Sequence, residues 1–183
     1  MTNYISILRG INVSGKRMIK MLELKAMYES MGYINIKTYI QSGNVLFQSK
    51  ESNPELLGKL IEDKILEKFN FDVPVIIITQ KEIKYCINHN LFLKREDIQL
   101  DKLHVTFLST EASQDLIDKI KDFKYTDDEF IIDGKLIYLY CPKNYGESKL
   151  SNNFFESKLK VKATTRNWKT VNELGRLLKI FEA

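Results

Sequence analysis

The chain has few of the residues that staple a fold, hold a metal or carry out nucleophilic chemistry. Its two cysteines, Cys86 and Cys141, lie far apart and in no metal-binding or redox spacing. That excludes a disulfide framework and predicts two buried thiols in a reducing cytoplasm. Its two histidines, His89 and His104, also stand alone. No metal set and no cofactor fingerprint is legible, so the expectation is a protein without either. No segment approaches the ~20 apolar residues of a membrane span. The first residues, Met1 to Ser6, carry no basic stretch leading into an apolar one. The expected location is therefore the cytoplasm, with no membrane partner. Arginine is scarce as well, with 5 Arg against 23 Lys.

What is present is an ordinary apolar share, 44% of 183 residues, enough for real cores without staples. The net charge is +4 with both signs interleaved, which alone does not indicate nucleic acid. Lysine serves wherever a generic cation suffices, so the positions of the arginines are informative. Arg9, Arg17 and Arg166 fall in or beside three polar motifs: Arg9-Gly10-Ile11-Asn12-Val13-Ser14-Gly15-Lys16, Tyr39-Ile40-Gln41-Ser42-Gly43-Asn44 and Thr164-Thr165-Arg166-Asn167-Trp168. A guanidinium fork binds phosphate or carboxylate bidentately, and it serves structural ion pairs equally well.

The hydrophobic pattern gives an ordered alternation of elements. Tyr4 to Leu8 reads as a strand. A helix begins at Met21 with Leu24, Met27, Tyr28 and Met31 on one face, and Gly32 stands where a C-terminal cap belongs. Ile36 to Ile40 and Val45 to Phe47 form a hairpin across Gln41 to Asn44. Asn53-Pro54-Glu55 opens a second helix through Leu57, Ile61, Ile65 and Phe69, and Val73 to Thr79 is the fourth strand.

After a helix over Lys81 to Asn90 and a charged connector the order repeats. Leu103 to Leu108 is a strand and Ser113 to Phe123 a helix. Glu129 to Ile132 pairs with Leu136 to Cys141 across Asp133-Gly134. Ser148 to Leu159 is a helix and Val161 to Thr165 a strand. A final helix follows with Trp168, Val171, Leu174, Leu178 and Phe181 as its buried stripe.

The fold class read from this order is α+β, with two tandem ferredoxin-like (βαββαβ) units and a C-terminal helix. The first unit spans residues 1–79, a helical linker 80–99, and the second unit with the last helix 100–183. Pro74 near the start of the first unit's fourth strand, and Lys160 and Lys162 beside the second unit's, suit edge positions.

The three motifs, taken with Thr38-Tyr39-Ile40-Gln41-Ser42-Gly43-Asn44-Val45 and Thr165-Arg166-Asn167-Trp168-Lys169-Thr170-Val171, resemble the bacterial domain-of-unknown-function family numbered 1697 over essentially the whole chain. The resemblance implies an α+β fold with two ferredoxin-like units and no established activity. Ser14 stands where that family usually has Gly, and Lys169 where Asn is common. If the usual Gly supports a positive φ, Ser14 is placed there at a cost.

In such a plait the first and second strands run in the same direction, so the Arg9 to Lys16 loop should approach Gln41 to Asn44. In the second unit the segment Pro142 to Lys149 should emerge beside Thr165 to Trp168. The expected ligand-binding residues are Arg9, Asn12, Lys16, Gln41, Ser42, Asn44, Arg166 and Asn167, with Ser148 and Lys149 as a secondary anion site. Each has a bland alternative. Ser148 and Asn167 can cap helices, Trp168 can fill a core, and Gln41, Ser42 and Asn44 can simply close a hairpin.

The expected function is a non-catalytic binding protein for a phosphate-bearing ligand, a nucleotide or nucleic acid. Phe107, Tyr138 and Tyr140 on middle strands are the candidates for stacking bases. A sheet face of this kind is the more ordinary place for internal packing. The alternatives are an enzyme on a small phosphorylated or carboxylated substrate, for which no general base stands in the motifs, and a scaffold whose motifs serve structure only. A further expectation is that Arg9 and Asn12 share a cleft with Arg166 and Asn167. The oligomeric state is not legible.

Overall fold

A computed structural model describes residues 1–180. It contains two four-stranded antiparallel sheets and flanking helices, an α+β architecture. The chain divides into two compact units, Met1–Lys84 with the segment from Leu174 onward, and Tyr85–Glu173.

In the first unit β1 (Thr2–Leu8), α1 (Met21–Ser30), β2 (Ile34–Tyr39), β3 (Asn44–Ser49), α2 (Pro54–Phe69) and β4 (Val75–Thr79) follow one another. The sheet order is β2-β3-β1-β4. Alternation along β1 turns Tyr4 and Leu8 toward the helices, where they join Val45, Phe47, Val75 and Ile77 beneath Leu24, Met27, Tyr28, Leu57 and Ile61. Tyr4, Tyr28 and Tyr33 gather around Phe47 with ring centroids 4.8–5.7 Å from it. Full burial of a ring such as Phe47 contributes about 1.5–3 kcal/mol.

One polar pair lies in this core, Ser6 Oγ and Tyr28 Oη at 2.6 Å. Burial raises the Tyr28 hydroxyl well above its ordinary range. Asn53 caps α2, its side chain accepting from the amides of Glu55 and Leu56. Pro74 directly precedes the edge strand β4 and uses its carbonyl to accept from the Arg9 amide at 2.9 Å.

The second unit contains the end of α3 (Gln80–Asn88), then β5 (Leu103–Leu108), α4 (Gln114–Asp118), β6 (Glu129–Asp133), β7 (Leu136–Tyr140), α5 (Asn152–Leu159), β8 (Ala163–Asn167) and the start of α6 (Trp168–Ile180). Its sheet order is β6-β7-β5-β8. Ile137, Leu139, Leu108 and Ala163 pack with Phe155, Leu159 and Leu150. Cys86 and Cys141 are both free and buried, and burial pushes their thiols up, to about 12 and about 11.

Several local expectations are corrected. The helix expected over Ser113 to Phe123 ends at Asp118. Ile120 and Phe123 then donate backbone bonds three residues back, to Ile117 and Ile120. An apolar spacing of three is served by tight turns as well as by an α-helix. The β6–β7 hairpin turns on Gly134-Lys135 rather than Asp133-Gly134, because Asp133 pairs with Leu136 in the ladder. Only Gly134, at φ +57°, is left-handed there, the pattern of a II′ turn. α5 starts at Asn152 under a Ser151 cap, not at Ser148. Within the expected C-terminal stripe Trp168, Val171, Leu174 and Leu178 are buried, and Phe181 lies outside the described residues.

Candidate functional site

β1 and β2 both pair antiparallel with β3, so their C-terminal ends lie together. The Arg9 loop and the Gln41 turn meet there, and Asn12 joins them. Its side-chain Nδ2 donates to the carbonyls of Ile19 and Gln41, each at 2.9 Å, and its Oδ1 accepts from the Ile19 amide at 2.8 Å. The amide is thus committed to three structural bonds. Gly43 closes the junction from the other side, its carbonyl accepting from the Leu8 amide at 2.8 Å. A Cβ on Gly43 would sit 2.7 Å from Ile11 Cδ1 and 2.8 Å from Leu8 Cβ. Only glycine fits there, and φ of +80° adds a second reason.

Between these pins the motif folds into a miniature hairpin. Val13 bridges Lys16, and the Lys16 amide donates to the Val13 carbonyl at 2.9 Å around Ser14-Gly15. Both turn residues are left-handed, at φ +49° and +72°, as a I′ turn demands. Ser14 therefore does occupy a positive-φ position. Gly10, Asn12 and Arg17 are left-handed as well, and so is the β-branched Ile40 across the junction at φ +52°. Such a concentration of unfavourable backbone survives only where surrounding bonds over-determine it.

Among the described residues the Ser14 and Gly15 amides donate to nothing within the molecule. Lys16 and Gln41 are exposed, and Arg9, Arg17 and Ser42 are half-buried. Arg17 Nη1 lies 3.5 Å from the Arg9 carbonyl, which it meets as donor. Ser42 Oγ accepts from Asn44 Nδ2, and Asn44, fully buried, also donates to the Tyr39 carbonyl. Residues 9–22 and 30–50 contain no Asp or Glu at all. The junction is built from two acid-free segments, with Lys16 exposed beside the open Ser14 and Gly15 amides and Arg9 and Arg17 half-buried at its base.

The motif residues of the second unit are placed differently. Arg166 is buried in β8 opposite Val105, its Nη1 donating to Thr164 Oγ1 at 3.3 Å and to the Thr165 carbonyl at 2.9 Å. Desolvation lowers its guanidinium to about 10. Asn167 caps α6 through the Thr170 amide at 2.8 Å, and Trp168 is buried. Ser148 Oγ accepts from the Leu150 amide, and the Lys149 ammonium stands 4.9 Å over the Tyr125 ring. Phe107, Tyr138 and Tyr140 are buried, so they offer no face for stacking bases. Tyr138 Oη donates to the Cys86 carbonyl at 3.2 Å, and Phe92 packs on Tyr140.

His104, which stands alone in the sequence, pairs directly with Asn167 across β5 and β8. Its ring stacks on Tyr145 at 4.5 Å. On the same strand, Thr106 shares a 2.6 Å hydrogen bond with Thr165, whose hydroxyl donates to Asn152 Oδ1 at 2.7 Å. Desolvation lowers the His104 imidazole below its ordinary value. The signal that finds His104 is the topology used for Thr165 to Trp168: the start of β5 must lie at the same end as the close of β8. Among the described residues no grouping of three His, Cys, Asp or Glu can hold a metal ion. No helix of the described residues is long and apolar enough to cross a membrane.

The family model described as "Protein of unknown function (DUF1697)" matches residues 1–138. That span includes the first two motifs, while the Thr165 to Val171 motif lies beyond it. No curated protein matches the chain. Among solved structures, the chain is similar in fold to a conserved bacterial protein from Streptococcus pneumoniae, at 22% identity and a TM-score of 0.75, covering 97% of this chain and 98% of that one.

Proposed function

We propose, from the premise that the chain belongs to the DUF1697 family of proteins of unknown function, that it is a non-catalytic binding protein whose first unit captures an anionic group, phosphate or carboxylate, at the Arg9–Lys16 hairpin. The observation that carries this reading is the pinned, left-handed turn. It holds the Ser14 and Gly15 amides and the Lys16 ammonium on an exposed tip built from acid-free segments. Successive backbone N–H groups beside a cation form a concavity suited to anions. In this reading Arg9, Arg17 and Lys16 supply charge, Gln41 and Ser42 line the approach, and Asn12, Gly43 and Asn44 hold the geometry.

The βαββαβ element order and the 2-3-1-4 strand arrangement in each half support reading the units as a tandem ferredoxin-like pair. Two free buried thiols suit a reducing cytoplasm.

The test is a thermal-shift screen of the full chain against nucleotides, phosphorylated metabolites and dicarboxylates, repeated on Lys16→Gln. A ligand at a hundredfold its dissociation constant adds about 2.7 kcal/mol. One anion should raise the melting temperature of the wild type and lose most of that effect in the variant. Equal shifts in both proteins would refute the assignment.

A further inference from the structure

The same tip exposes aliphatic side chains that a small anion would leave uncovered. Val13 is 55% exposed, Met18 62% and Ile40 46%. Asn12 ties the backbone beside all three into one loop cluster. Val13 is its chain neighbour, Met18 precedes Ile19, and Ile40 precedes Gln41, and Asn12 hydrogen-bonds the backbone of both Ile19 and Gln41. These side chains interleave with Lys16 and Arg17 on segments without a single carboxylate. The surface is therefore both cationic and apolar.

Three classes of anionic macromolecule could meet such a surface, and the residue types separate them. Single-stranded nucleic acid is held by stacking bases on aromatic rings, and the exposed apolar members here are all aliphatic. Anchoring at a bilayer interface draws on exposed Trp and Tyr, whereas the one such residue beside the tip, Tyr39 before Ile40, is half-buried. Protein interfaces are enriched in Met and Arg, and an acidic peptide with aliphatic side chains complements both properties together.

Building on the anion-binding reading, we infer that the Arg9–Lys16 hairpin with Ile40 is a docking surface for an acidic, aliphatic-bearing segment of a partner protein. Its carboxylates meet Lys16, Arg17 and the Ser14 and Gly15 amides. Its apolar side chains cover Val13, Met18 and Ile40.

Fluorescence anisotropy on the full chain tests this with four labelled probes: a peptide of Glu-Glu-Leu repeats, a poly-glutamate of equal length, an oligothymidylate, and phosphatidylserine vesicles. The Glu-Glu-Leu peptide should bind tightest. Val13→Ser with Met18→Ser, both exposed and so without cost to the core, should weaken that peptide about tenfold and leave poly-glutamate unchanged. Lys16→Gln should weaken both peptides. Equal binding of the two peptides, insensitive to the Val13 and Met18 changes, overturns the docking surface while leaving the anion site standing. Tighter binding of oligothymidylate or vesicles overturns it in favour of those classes. Silence of every probe, with no anion responding in the thermal-shift screen, removes the anion site as well.

Discussion

Replacing Gly43 with alanine tests how the binding tip is held. The new Cβ would meet Ile11 Cδ1 at 2.7 Å, Leu8 Cβ at 2.8 Å and Ile11 Cγ1 at 2.9 Å. Leu8 belongs to β1 and its Cβ cannot rotate away, so the backbone of the Gln41 turn must shift. The φ of +80° adds the left-handed cost of an L residue, about 1–2 kcal/mol. Overpacking adds about 1–3 kcal/mol, for a loss of roughly 2–5 kcal/mol. Gly32→Ala is the internal control, since it has the same φ of +80° and nothing within 4 Å of its Cβ. It should lose only the backbone part. Urea unfolding of the two variants, followed by circular dichroism, gives the difference directly. Equal losses would mean that the close approach of Gly43 to Leu8 and Ile11 contributes nothing, and the packing account of the junction would be wrong.

Three further outcomes are expected. Asn12→Ala removes three hydrogen bonds and leaves the backbone of buried Ile19 unsatisfied, a loss of about 1–3 kcal/mol; hydrogen exchange should rise at residues 12–19 and not in β3. Ser14→Gly should raise stability by about 0.5 kcal/mol, the left-handed cost removed less the added chain entropy, read as a small increase in urea midpoint. The His104 imidazole is lowered by desolvation, so the unfolded chain binds the extra proton first as pH falls below the ordinary value of 6.5. The stability present above 6.5 is then lost progressively down through the lower folded value, and His104→Gln should flatten the decline that sets in as pH falls below 6.5.

Much of the fold was legible because its signals are local. Asn53-Pro54 caps α2 as its composition demands, Gly32 stands just past α1 at φ +80°, and Pro74 lies beside an edge strand. The meeting of the Arg9 loop with the Gln41 turn followed from strand direction alone. What the residues did not reveal depends on geometry across the chain. Ile117, Ile120 and Phe123 carry a spacing that α-helix and tight turns share, and only tertiary packing chose between them. Ser14-Gly15 is not the favoured Asn-Gly or Asp-Gly pair, so the miniature hairpin was hidden inside what reads as a loop. The placements of Arg166 and His104 were hidden for a similar reason. The side of β8 that Arg166 faces and the register that sets His104 opposite Asn167 are properties of the sheet, not of either segment.

The central claim is that the Arg9–Lys16 tip receives an anion on the open amides of Ser14 and Gly15. Titrating the isotope-labelled full chain with inorganic pyrophosphate while recording amide nitrogen and proton shifts reports on those two groups directly. The account predicts saturable shifts greatest at Ser14, Gly15 and Lys16, weaker ones at Gln41 and Ser42, and their loss in Lys16→Gln. Shifts confined to the Ser148–Lys149 segment, or none at the tip at saturating pyrophosphate, would contradict it.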